Sequence, residues 1–123
     1  MHGGILVVDD NPHFLRTAER LLAMRGLVPF DLVAGGDEAL AALDRGRPDG
    51  VLLDINLEGQ DGFQVAAALA ARYAKLPIVL MSSEADAVEG LELQRCGATA
   101  FVPKTALATT DLGRLFGGTP PPL

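Results

Sequence analysis

Uninterrupted apolar runs that end in acid constrain this chain more than any other feature. The run ILVV at residues 5–8 leads into Asp9 and Asp10, and VLL at residues 51–53 leads into Asp54. Leucine-rich and β-branched runs without polar alternation suit strands buried on both faces of a parallel sheet. Longer stretches with helical spacing lie between them, and that alternation predicts an open α/β sheet wound by helices. Ligands of such sheets gather in the crevice beyond the carboxyl ends of the strands, which is where all three aspartates should arrive. Two carboxylates about 5 Å apart repel by roughly 3 kcal/mol at an effective dielectric of about 20. A cluster of three therefore either raises a pKa or holds a hard divalent cation through its oxygens, and a metal is the simpler expectation.

The chain of 123 residues matches one ordinary domain that needs no disulfide staple. Its single cysteine, Cys96, cannot form an internal bridge and reads as a small buried apolar residue in a reducing compartment. The start MHGGILVV lacks the charged region and cleavage site of a signal peptide, and no apolar run reaches the roughly 18 residues of a membrane span. A cytoplasmic protein without membrane contact is expected. A net charge of −6 argues against direct nucleic-acid binding, which needs a Lys/Arg surface.

The first strand is expected over residues 5–9, and Asn11-Pro12 supplies a helix start, followed by Phe14, Ala18, Leu21 and Leu22 at helical spacing. Gly26 should end that helix. Strand two, residues 27–33, contains Pro29, which cannot donate a ladder hydrogen bond and so belongs on a sheet edge. A second helix is expected over residues 38–45, strand three over 51–54, a loop at NLEGQDG, a third helix over 62–75 and strand four over 78–81. The fourth helix, about 85–95, is poorly amphipathic and carries Gly90, which marks it for mobility. Strand five is expected over 99–102 and a fifth helix over 106–116, although Thr109-Thr110 disfavours a helix interior. The domain should span residues 1–117, with 118–123 as a tail or linker stub.

Side by side, such strands bring Asp9, Asp10, Asp54, Ser82 and Lys104 to one rim. That set suits phosphoryl transfer: a carboxylate can attack phosphorus, a cation can neutralise developing charge, and lysine with a hydroxyl can hold the other oxygens. Each residue alone has a plainer reading. Asp9-Asp10 can cap a helix, Ser82 can bond strand-end backbone, and Asp61-Gly62 reads first as turn chemistry. His2 and His13 lack metal-ligand spacing, and Tyr73 reads as core or boundary.

The segments ILVVDD, LLDINLEGQDGF, PIVLMSSEA and GATAFVPK resemble the receiver domain of two-component response regulators across about residues 5–115. The resemblance implies a flavodoxin-like, doubly wound sheet of five parallel strands in the order 2-1-3-4-5 with helices on both faces. It implies that Asp54 accepts a phosphoryl group from a histidine kinase or a histidine phosphotransfer protein. It further implies Mg²⁺, replaceable by Mn²⁺, on Asp10, Asp54 and the main-chain carbonyl of Asn56, with Asp9 acting through water. Ser82 matches the hydroxyl that closes on the phosphoryl group, Phe101 the aromatic that changes rotamer with it, and Lys104 the lysine that pairs with the phosphate. Asn56 and Glu84 match the positions that tune phosphoryl lifetime. Expected partners also include a second copy of the chain or a downstream effector protein.

Three departures from the family pattern stand out. Thr105 follows Lys104 where many receivers carry proline, so the lysine needs other support, for which Pro103 is the candidate. Glu58 stands where proline is frequent, and the fifth helix looks short. A rival reading from another class is a Mg²⁺-dependent phosphohydrolase of the haloacid dehalogenase kind. Its nucleophile should end strand one within Asp-x-Asp, whereas Asp9 and Asp10 are adjacent here and the chain is short for a substrate-covering cap. A third reading is a pseudo-receiver that serves only as a binding surface; such chains typically lose an acid, the acceptor or the lysine, and none is lost here.

Overall fold

The computed structural model describes residues 3–83, 93 and 95–116 of the chain. Strands and helices alternate: β1 (Ile5–Val8), α1 (Pro12–Met24), β2 (Pro29–Val33), α2 (Gly36–Arg45), β3 (Gly50–Asp54), α3 (Gly62–Arg72), β4 (Ile78–Ser82) and β5 (Ala100–Pro103). A 3-10 helix, Lys104–Thr109, and a terminal helix, Leu112–Leu115, follow. The strands pair in parallel in the order β2-β1-β3-β4-β5, the doubly wound flavodoxin-like order expected from the sequence. The proline-bearing β2 lies at an edge.

Side-chain alternation sorts the uniformly apolar strands onto two cores. Leu6, Val8, Val51, Leu53, Ile78 and Leu80 pack with Ala39, Ala42 and Leu43 of α2 and Val65, Ala66 and Leu69 of α3. Ile5, Val7, Leu52, Val79 and Met81 face the other way, onto Ala18 and Leu22 of α1 and onto Leu107, Leu112 and Phe116. Because both faces are covered, no position of β1, β3 or β4 can take a polar residue until the strand ends. The polar residues therefore appear together at the carboxyl edge.

Most differences from the expected elements are shifts at their ends. β1 stops at Val8, while β4 extends to Ser82 and β5 to Pro103. β2 begins at Pro29 instead of residue 27, because the Leu27 amide folds back to the Leu22 carbonyl (2.8 Å) and closes α1 around Gly26 at φ 72°. Val28 is left exposed. α3 ends at Arg72 because Tyr73 turns extended (φ −136°, ψ 100°). There the Tyr73 hydroxyl reaches the Leu43 carbonyl (3.4 Å) and its ring lies under the Arg47 guanidinium (4.8 Å).

The expected fifth helix over residues 106–116 is corrected to two pieces. The hydroxyls of Thr109 and Thr110 both donate to the Ala106 carbonyl (3.1 and 2.6 Å), taking an acceptor that a continuing helix would use. The Asp111 carboxylate then accepts from the Arg114 amide (3.2 Å) and starts a new turn. The expected fourth helix lies largely outside the described residues, as do Glu84, His2 and the tail 118–123; Leu93, Arg95 and Cys96 are helical, and Cys96 is buried as expected.

Candidate functional site

Four strand ends deliver the residues at the carboxyl edge. Asp9 and Asp10 follow β1, Asp54 closes β3, Ser82 closes β4 opposite Pro103, and Lys104 follows β5. One carboxylate oxygen from each of Asp9, Asp10 and Asp54 lies within 4.8 Å of the others. Asp9 is fully buried and Asp54 almost so, whereas Asp10 is exposed at the mouth.

The hydrogen bonds show how the site is braced. Asp9 Oδ1 accepts from the Asn11 amide (2.8 Å), and Asn11 Oδ1 in turn caps α1 through the amides of His13 and Phe14 (2.9 and 3.3 Å). Asp54 Oδ1 accepts from the Asn56 amide (3.0 Å). Asp10 Oδ2 accepts from the Glu58 amide (2.6 Å), a bond that the family's frequent proline at this position could not make. The Asn56 side-chain amide donates to Ser82 Oγ (2.9 Å). Behind these bonds, Gly62 lets α3 close onto the loop, since a Cβ there would lie 2.3 Å from the Ile55 Cα.

Lys104 Nζ sits between two acids, 2.6 Å from Asp9 Oδ2 and 3.3 Å from Asp54 Oδ2. The ring of Phe14 on α1 also lies against it, its centroid 4.2 Å from Nζ. The sequence places Phe14 only at helical spacing in the first helix, and no local signal links it to a lysine ninety positions away. Burial pushes the Asp9 carboxyl above its ordinary value, more than Lys104 and the Asn11 amide pull it down. Three carboxylates against one ammonium leave two negative charges uncompensated.

Asp9 Oδ2 is buried and pairs with the Lys104 ammonium. An all-oxygen donor set from three carboxylates, with that uncompensated charge, fits a hard divalent cation. The candidates named from the sequence therefore converge, with two exceptions. Phe101 lies half-buried on β5 against the core under α2 and α3, as a packing residue, and Glu84 lies outside the described residues. His13 is exposed in the first turn of α1, and Asp61 caps α3 by accepting from the Phe63 amide (2.9 Å).

Comparison with known proteins gives the same arrangement a lineage. The profile of the response regulator receiver domain matches residues 5–112. The transcriptional regulatory protein PrrA of Mycobacterium tuberculosis is 38% identical over 103 residues, covering 81% of this chain and 42% of that protein. The chain spans less than half the length of the curated relatives it matches. Among solved structures, the response regulator TrrA of Thermotoga maritima in complex with Mg(2+)-BeF superposes with a TM-score of 0.73 at 30% identity, over 85% of this chain and 87% of that one. A complex of the histidine kinase ThkA with TrrA gives 0.72 at 29% identity, over 85% and 86%. With an acidic cluster at the carboxyl edge of a 2-1-3-4-5 sheet and a family match over most of its length, this chain belongs to the response regulator receiver domains.

Proposed function

We propose that the chain is a phosphorylation-dependent receiver in which Asp54 accepts a phosphoryl group from a histidine kinase or a histidine phosphotransfer protein. The observation that carries this reading is the setting of Asp54. One of its oxygens is held by the Asn56 amide and the other by Lys104, with oxygens of Asp9 and Asp10 within 4.8 Å. The neighbour TrrA, captured with Mg(2+)-BeF and with a histidine kinase, supports the same chemistry here.

In the reaction an Asp54 oxygen attacks phosphorus, an O–P bond forms as the N–P bond of phosphohistidine breaks, and the electron pair leaves on the imidazole nitrogen. Asp10, Asp54 and the Asn56 main-chain carbonyl would hold Mg²⁺ directly, and Asp9 would hold it through water; Mn²⁺ is an acceptable substitute. Bound there, the cation supplies charge neutralisation for the transferring group. Lys104 moves from its pairing with Asp9 towards the new phosphoryl oxygens, and Ser82 donates to another of them. Closure of Ser82 leaves space into which Phe101 turns, and that coupling is the switch. Asn56 and Glu84 tune the lifetime of the acyl phosphate.

The chain is a signalling module and acts chemically on itself alone. We place the receiver at residues 1–117 and a linker stub at 118–123. Output runs through protein contacts: with a second copy, with a downstream effector protein, or with an effector domain such as the longer relatives have room for. No direct contact with nucleic acid is needed. Among the described residues no helix is long and apolar enough to cross a membrane.

The test is incubation with Mg²⁺ and acetyl phosphate, read by intact mass, for wild type and Asp54→Asn. A single phosphoryl adduct that requires Mg²⁺ and is absent from the variant is expected. No adduct, together with no binding of beryllofluoride, would overturn the reading.

A further inference from the structure

Asn56 makes two bonds that join the acceptor to the end of β4. Its main-chain amide donates to Asp54 Oδ1 (3.0 Å) and its side-chain amide donates to Ser82 Oγ (2.9 Å). Ser82 is 2% exposed, so on the serine side this bond faces little competition from water. Asn56 itself lies at the rim and is anchored by its backbone, so its side chain is not required to fill the core.

We infer that Asn56 is a positioning residue for Ser82: its side-chain amide holds the hydroxyl in its resting place, and this bond sets how readily Ser82 moves onto a group newly attached to Asp54. A hydroxyl has one proton and two lone pairs, and Asn56 occupies one of those lone pairs. When Ser82 turns to donate towards Asp54, the Asn56 N–H must follow or lose its partner. The resting state therefore keeps a hydrogen bond that the closed state has to weaken. The inference rests on the receiver reading, but it concerns the side chain of Asn56, whereas the cation is assigned to that residue's main-chain carbonyl.

The test is the affinity for beryllofluoride at saturating Mg²⁺, measured by calorimetry on wild type, Asn56→Ala, Ser82→Ala, the double variant, and Ser82→Thr with and without Asn56→Ala. One modest hydrogen bond predicts binding about two- to tenfold tighter in Asn56→Ala when Ser82 is present. The effect should vanish in the Ser82→Ala background and return with Ser82→Thr, which keeps the hydroxyl. An equal effect in all backgrounds, or weaker binding in Asn56→Ala with Ser82 intact, would show that Asn56 does not act through Ser82. Wild type that binds no beryllofluoride at all would remove the receiver reading instead, so the two failures are distinct.

Discussion

Asp9 carries the sharpest conflict between stability and function in the molecule. It is fully buried, and burial raises its pKa even though its Oδ2 pairs with Lys104. An ionised carboxylate in that place costs folding free energy, which a bound cation would offset. Asp9→Asn should therefore stabilise the cation-free protein by about 1 kcal/mol, raising the melting midpoint by about 3–5 °C. Added Mg²⁺ should then stabilise wild type more than the variant. Calorimetric melts with and without Mg²⁺ decide this, and identical midpoints for both proteins without cation would refute the conflict. Lys104 is also a residue-scale matter, since its ammonium leans on Phe14 across the gap between α1 and β5.

At the scale of elements, the β3–α3 loop is more than a connection. Glu58 ties it to Asp10 after β1, Asn56 ties it to Ser82 at the end of β4, and Gln60 reaches α2. The last contact explains why α2 starts at Gly36, two residues earlier than its sequence suggests. The N-cap, Gly35, has no side chain to offer, and Gln60 Oε1 accepts from the Gly36 amide (2.8 Å) in its place. Gln60→Ala should cost about 1 kcal/mol in denaturant unfolding and raise amide exchange in the first turn of α2. Unchanged exchange there would mean that water caps the helix equally well. The split of residues 104–116 into a 3-10 helix and one short α-helix has the same local origin, in the threonine hydroxyls that recapture the Ala106 carbonyl.

At the scale of the whole molecule, the two edges of the sheet have separate duties. The carboxyl edge collects the acids, while the opposite edge is closed by the chain's last described turn. There Phe116 packs on the start of β3, so tightly that a Cβ at Gly50 would lie 2.1 Å from its ring. The Arg25 guanidinium, bonded to the Ala108 carbonyl, ties the same segment to the end of α1. Phe116→Ala should lose roughly 3 kcal/mol of stability through the cavity it leaves, while the folded variant still forms the Asp54 adduct with acetyl phosphate. A variant that folds but no longer reacts would show that the two edges are coupled.

The alternation of strand and helix, the edge position of β2, and the gathering of Asp9, Asp10, Asp54, Ser82 and Lys104 at one rim were all legible in the sequence alone. They follow from local periodicity and from the rule that parallel strands point the same way, so residues that end strands must meet. The finer geometry was decided by the tertiary structure. The contacts of Lys104 with Asp54, of Glu58 with Asp10 and of Asn56 with Ser82 join residues 50, 48 and 26 positions apart. Each depends on how loops from separate strands settle at hydrogen-bonding distance from one another, and no periodic pattern carries that information. The same is true of Phe14, whose spacing places it only in the first helix while its ring ends up beneath the lysine, because only the packing of α1 against the sheet brings the two together.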